Sequence, residues 1–172
     1  MRGARVEDDP AAGGGGDGGL VVANDMDPKR AYMLATHTRR IGLPGAFLMV
    51  CDARVLPSFR SEGGTCFDRV LADVPCSVDG TLRKNGGIVK RWKCGDGLSI
   101  HLVQVDVCWR GLQLVKVWGY LCYSTCSMNP VENEAVVAEM LQRAPQGSLE
   151  LMDQREQGEG VPHLLSTTII IQ

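Results

Sequence analysis

Two short runs of this chain carry residue types suited to covalent chemistry: Asp73-Val74-Pro75-Cys76-Ser77 and, further along, Tyr123-Ser124-Thr125-Cys126-Ser127-Met128-Asn129-Pro130. Each sets a cysteine just after a β-type segment, where a chain leaves a sheet edge and side chains point into a cleft. Two thiols held this way fit a substrate chemistry in which one attacks and the other assists. The plainer reading is two small apolar residues packed at strand ends, as free cysteines often are.

The elements that position these cysteines follow from the apolar pattern. Leu20–Ala23 reads as a buried strand ending in Asn24-Asp25. Pro28 suits a first helical turn, and the helix continues from Lys29 to about Arg40 before Gly42, Pro44 and Gly45 break it. Ala46–Cys51 is a second strand ending at Asp52, and Phe67–Ala72 a third ending at Asp73. Residues 77–97, rich in glycine, read as loop. Leu98–Val115 fits a helix, although its valines also allow strand. Tyr120–Tyr123 is a strand, a helix opens at Pro130-Val131-Glu132 and runs to about Arg143, and Leu149–Met152 and Leu165–Ile171 are closing strands. The acids in that helix opening suit the helix dipole. Strand–helix alternation with apolar, β-branched strands predicts an α/β fold with a mostly parallel sheet.

Three strands therefore end in an aspartate: Asp25, Asp52 and Asp73. Ligands of open α/β sheets bind beyond the carboxyl ends of the strands, and a carboxylate after a second strand commonly takes ribose hydroxyls. One such aspartate is more simply a turn or helix cap. Three at equivalent positions favour a nucleotide-like ligand.

The composition sets bounds. A chain of 172 residues, 44% apolar and 22% charged, can bury a real core. No apolar run approaches the roughly 18 residues that span a bilayer, so no membrane association is expected. The N-terminus lacks an apolar stretch of the secretory kind. Seven cysteines, at 51, 66, 76, 94, 108, 122 and 126, form an odd set without a C-x-x-C pair. That argues for free thiols in a reducing compartment and against zinc. A net charge of −2 gives no global basic signature, so nucleic-acid contact must rest on a local patch. Residues 1–19 read as a disordered glycine-rich segment. Its glycines do not form a phosphate loop, because no strand precedes them.

Several motifs occur in a fixed order: Asn24-Asp25-Met26-Asp27-Pro28-Lys29-Arg30, then Cys51-Asp52-Ala53, then the first cysteine run continued by Asp79-Gly80-Thr81-Leu82-Arg83-Lys84-Asn85, then the second run with Glu132 and Glu134. Together, over about residues 20–143, they closely resemble the Sun-family RNA (cytosine-5) methyltransferases, particularly the multisite tRNA branch. The resemblance implies a Rossmann-like class I fold dependent on S-adenosyl-L-methionine, with residues 20–172 as a partial catalytic domain. Asp25 matches the acid that binds the cofactor ribose, Asp52 the one beside the adenine, and Asp73 a position near methyl donor and target base. Cys126 matches the nucleophile and Cys76 the cysteine that assists product release. RNA, and transfer RNA through the branch, is the implied partner; nuclear location rests on the same branch, with the cytoplasm as the alternative.

The chemistry explains the residue types. C5 of cytosine is a poor nucleophile until a thiolate adds to C6. The C5 proton must then leave and the thiol be eliminated, which gives a second acid–base group a task. The attacking thiol should have its pKa lowered by nearby donors or positive charge, to which the cofactor sulfonium would contribute. The base must also leave its stack. Arg83, Lys84, Lys90, Arg91 and Lys93, with Trp92 among them, make an acid-free basic stretch that fits phosphate contact and base stacking, or equally a solvated loop. Cys51 and Cys122 read as packing residues, and His37, His101 and His163 receive no role.

One family element has no match: a proline- and glycine-containing loop bearing a lysine, expected roughly 20 to 30 residues before Asp25. Without the strand that precedes it, the strands at Leu20–Ala23 and Phe67–Ala72 each lack a neighbour. They must re-pair, accept a strand from a second chain, or leave the protein marginal. Three readings stay open: an N-terminally truncated methyltransferase, a non-enzymatic RNA-binding or scaffolding homologue, and a nucleotide-binding regulator, the last disfavoured by the cysteine pair.

Overall fold

The computed structural model describes residues 19–42, 45–61, 64–65, 67–93, 95–152 and 166–171. The chain divides into two compact units, Met1–Cys51 and Asp52–Gln172. The glycine-rich segment and His163 lie outside the described residues.

In the first unit, β1 (Val21–Asn24), α1 (Pro28–Arg40) and β2 (Ala46–Met49) form a strand–helix–strand crossover, with β1 and β2 parallel and Val21 opposite Ala46. Asp27 caps α1 by accepting from the Lys29 amide at 2.8 Å, and Pro28 fills the first turn, where a missing N–H costs nothing. His37, Arg39 and Arg40 place basic groups at the negative end of the helix. Cys51 lies just beyond β2 rather than within it. The Asn24 side chain ties the two strand ends together, donating to Cys51 O at 2.9 Å and accepting from Cys51 N at 3.1 Å.

The second unit carries a short hairpin of β3 (Arg60–Ser61) and β4 (Gly64–Thr65), then β5 (Phe67–Asp73), α2 (Ile88–Arg91), α3 (Gly95–Leu114), β6 (Val115–Ser124), α4 (Glu134–Arg143), β7 (Leu149–Met152) and β8 (Ser166–Ile171). Its main sheet has the order β5-β6-β8-β7. β5 and β6 are parallel, whereas β8 runs antiparallel to both β6 and β7. The class is the expected α/β, but the sheet is mixed: β8 inserts in reverse between strands of common direction.

The core of this unit joins α3 and α4 to the sheet. Gln104, Val105, Cys108, Gly111 and Leu112 form the buried stripe of α3 at helical spacing and meet Ala72, Leu121, Tyr123 and Ile169 from the strands, with Val136 and Met140 from α4. Residues 77–97 are not continuous loop. Asp79–Thr81 makes a 3-10 turn, α2 follows, and α3 begins at Gly95, earlier than the apolar pattern predicts. β6 is also longer than expected. It starts directly after α3 and absorbs extra residues in a bulge between its pairings Phe67–Val115 and Arg69–Tyr120, where Trp118 takes φ +65°.

Candidate active site

The two cysteines meet because their strands are parallel neighbours in register. Asp73 at the end of β5 lies opposite Ser124 at the end of β6, and the Val74 amide extends the ladder by donating to Ser124 O at 3.1 Å. Both chains therefore leave the sheet side by side and in the same direction. The Cys76 and Cys126 sulfurs come to rest 3.1 Å apart as free thiols, Cys126 exposed and Cys76 half-buried.

Backbone contacts fix the loop that carries Cys126. The Gly80 amide donates to Cys126 O at 3.0 Å, and a Cβ at Gly80 would lie 2.7 Å from that oxygen. Only glycine allows the two backbones to approach this closely. Asp79 Oδ1 accepts from the Met128 amide at 2.9 Å, and Thr125 Oγ donates to Asn133 Oδ1 at 2.6 Å. The Asn133 amide in turn donates to Ser127 O at 2.9 Å.

Beneath the thiols lies a buried polar group that the sequence pattern misassigns. Glu132 precedes α4 rather than opening its first turn, and it is fully buried. Its Oε1 accepts from the Ser77 hydroxyl at 2.5 Å and the Ser127 hydroxyl at 2.8 Å. Its Oε2 accepts from the Ser77 amide at 2.8 Å and from Gln104 Nε2 at 3.1 Å. Gln104, buried on α3, also donates to Pro75 O at 2.9 Å. Nothing in the local sequence separates such an acid from one that favours a helix dipole; the pairing of Ser77 and Ser127, each following a cysteine, was the available signal.

The surroundings raise the Cys126 thiol to about 11, through burial of its sulfur first, then the hydrogen bond and charge of Cys76, then the charge of Asp73. This is opposite to the lowering that nucleophilic attack requires. Burial also pushes Cys108 up to about 12, which marks it as an inert core thiol. Burial raises Tyr123 well above the ordinary phenol range, and its hydroxyl donates to Glu132 O at 2.6 Å.

The three aspartates occupy different settings. Asp73 is an exposed strand end beside the thiol pair. Asp52 accepts from the Arg54 amide at 2.9 Å and pairs with its guanidinium at 2.6 Å, and that contact holds its carboxyl below the usual carboxylate range. It borders a shallow cavity of about 370 Å³, also lined by Arg54, Val55, Asp106, Trp109, Arg110 and Gln113. Asp25, in the first unit, accepts from the Asp27 amide at 2.8 Å and pairs with Arg30 at 2.9 Å. Asp25 and Asp52 thus also serve as local turn and cap residues. Arg83, Lys84, Lys90, Arg91 and Lys93 are all exposed, and none forms an ion pair among the described residues. His101 takes a structural role, its ring Nδ1 lying 2.8 Å from Val131 O. Cys122 sits half-buried within β6.

The second unit is thus an α/β unit with a thiol pair at the ends of its parallel strands. NSun6 from Pyrococcus horikoshii, solved with SFG, superposes with a TM-score of 0.68 at 23% identity, over 89% of this chain and 40% of that one. Residues 16–165 match the family model described as 16S rRNA methyltransferase RsmB/F, and the chain belongs to that family. It is 44% identical over 149 residues to the multisite-specific tRNA:(cytosine-C(5))-methyltransferase trm4b of Schizosaccharomyces pombe, covering 78% of this chain and 22% of that protein. It is 46% identical over 132 residues to the multisite-specific tRNA:(cytosine-C(5))-methyltransferase of Saccharomyces cerevisiae, covering 73% of this chain and 19% of that protein. The chain thus spans about a fifth of the length of these relatives.

Proposed function

We propose that this chain is the thiol-bearing part of an S-adenosyl-L-methionine-dependent RNA cytosine-5 methyltransferase acting on transfer RNA. The observation that carries the reading is the 3.1 Å approach of the Cys76 and Cys126 sulfurs at the ends of adjacent parallel strands. Cys126, the more exposed thiol, adds as thiolate to C6 of cytosine, and the electron pair of the C5–C6 double bond shifts to C5. Bound S-adenosyl-L-methionine supplies the methyl group and a positive charge near the thiol. Loss of the C5 proton to a base reforms the double bond as the bond from Cys126 sulfur to C6 breaks. Cys76, in contact with that sulfur, is placed to exchange the protons of this release step.

The residues suit the cofactor by type. Asp73 offers an unshielded carboxyl beside the thiols, and Asp52 borders a cavity with Trp109 on its wall. Asp25 is the ribose acid of this reading. The exposed cations at Arg83, Lys84, Lys90, Arg91 and Lys93, with Trp92 among them, supply phosphate contact and stacking for RNA. Among the described residues the edge of β5 away from β6 carries no strand, and we read it as the place where a strand from a second chain adds.

RNA containing 5-azacytosine tests the reading. The protein should form a covalent adduct with it in the presence of S-adenosyl-L-methionine, and Cys126→Ala should abolish the adduct. An adduct that survives this substitution sinks the assignment of the nucleophile.

A further inference from the structure

We propose that Glu132 is the positioning residue of the thiol pair, a buried clamp that sets the separation of the Cys76 and Cys126 sulfurs; as a role in catalysis this rests on the methyltransferase reading above. The two loops are joined below their cysteines, through the residues that flank them. Ser77 follows Cys76 and Ser127 follows Cys126, and both hydroxyls converge on Oε1 of Glu132, at 2.5 and 2.8 Å, while lying 3.3 Å from each other. Oε2 takes the Ser77 amide, and Gln104 bridges from the same oxygen to Pro75 O, the carbonyl on the other side of Cys76. Tyr123, at the end of β6, holds the Glu132 backbone through its hydroxyl. Ser77 and Ser127 are thus fastened to the Glu132 carboxylate directly, and Pro75 is linked to it through Gln104.

Stability alone is a poor reason for this arrangement. Burying a carboxyl group is costly, and the partners of Glu132 here are neutral donors rather than a cation. Replacing a buried polar group together with its partners by apolar side chains of the same shape can be nearly neutral in stability. What they cannot do is accept hydrogen bonds from two loops at once. The site is also built around the acid: a Cβ at Gly97 would lie 2.2 Å from Asn129 Nδ2 and 3.1 Å from Glu132 Oε1. The orientation of Gln104 follows from the same network, because its amide nitrogen faces two acceptors and a flipped amide would present oxygen to oxygen.

The test reads thiol geometry without requiring catalysis. The 172-residue protein is equilibrated with reduced and oxidised glutathione. Cys76 and Cys126 give up two electrons and two protons to form one disulfide, and one oxidised glutathione takes them up to become two reduced molecules. Peptide mapping after alkylation measures that disulfide alone. Glu132→Ala and the double variant Ser77→Ala/Ser127→Ala should lower the effective concentration of the thiol pair by about tenfold or more. Glu132→Gln should restore most of it, because its amide nitrogen can face the two hydroxyls while its oxygen keeps the Ser77 amide and Gln104. Ile169→Val, a core change on β8 outside the network, should leave the equilibrium in place. The single serine variants, each removing one hydroxyl, give the same readout should Glu132→Ala not fold. An unchanged equilibrium in the folded serine double variant, or an equal shift in Ile169→Val, overturns the proposal. A normal thiol equilibrium in a protein that forms no azacytosine adduct would instead sink the methyltransferase reading and leave the clamp standing.

Discussion

The sharpest consequence of the site concerns the reactivity of Cys126 before any cofactor arrives. Its thiol is raised to about 11 by partial burial of the sulfur first, then by the hydrogen bond and charge of Cys76 and the charge of Asp73. An ordinary cysteine, with a pKa near 8.5, is about one-quarter thiolate at pH 8. At a pKa of about 11 the fraction falls to about 0.1%, some 200-fold less. A more basic thiolate is intrinsically more nucleophilic, with a Brønsted slope of about 0.4–0.5, which recovers about tenfold. Cys126 should therefore alkylate about 20-fold more slowly than a free cysteine at pH 8, with iodoacetamide labelling followed by peptide mass spectrometry. The rate should keep climbing through pH 9 and 10, where an ordinary cysteine has levelled off. Cys76→Ala removes a hydrogen bond and a charge but not the burial, so it should lower the inflection without returning it to 8.5. Labelling at the rate of a free cysteine, with an inflection near pH 8.5, would refute the reasoning.

Two further outcomes follow from the geometry. Gly80→Ala puts a Cβ 2.7 Å from Cys126 O, so the loop that carries Cys126 must shift. Overpacking of this kind costs about 1–3 kcal/mol of stability, which denaturant titration measures, and the azacytosine adduct should fall far more than stability explains. Replacing Arg83, Lys84, Lys90, Arg91 and Lys93 together with alanine should weaken RNA binding and flatten its salt dependence. The slope should drop by about 0.7 for each single-strand phosphate that is no longer neutralised. Filter binding across a salt series would contradict the assignment if the slope stayed the same.

The elements most legible in the sequence were those whose boundaries rest on local chemistry. Asp27 and Pro28 start α1 where a cap and a fixed φ are needed, and Gly42 at φ +66° ends it. The cysteine loops were legible because proline, serine and glycine punctuate them at strand ends. α3 began earlier than expected because Gly95 and Gly97 are poor helix formers. Gly97 is there for space, since Asn129 and Glu132 fill the volume a side chain would take. β6 was underestimated for a related reason. The chain passes from Leu114 to Val115 with no glycine or proline between helix and strand, and the bulge is placed at Trp118, a residue type that rarely takes positive φ. Glu132 reads in the sequence as a first-turn acid suited to the helix dipole, because burial of a carboxyl depends on donors that other parts of the chain bring to it.

The same distinction separates what the thiols are from what they can do. Strand register places Cys76 and Cys126 together, because Asp73 and Ser124 end adjacent parallel strands opposite each other. The protonation of Cys126 depends instead on its neighbours, and nearly all of them oppose ionisation: a second thiol, the Asp73 carboxylate and a partly dry surface. Only a backbone hydrogen bond of Cys126 itself acts the other way. A site of this kind stays silent until positive charge is brought beside the sulfur. The sulfonium of S-adenosyl-L-methionine has that charge and S-adenosylhomocysteine does not. The first should therefore speed Cys126 alkylation and the second should not, although the two occupy nearly the same volume. Equal effects of the two compounds would mean that the thiol is activated by closure of the site rather than by charge.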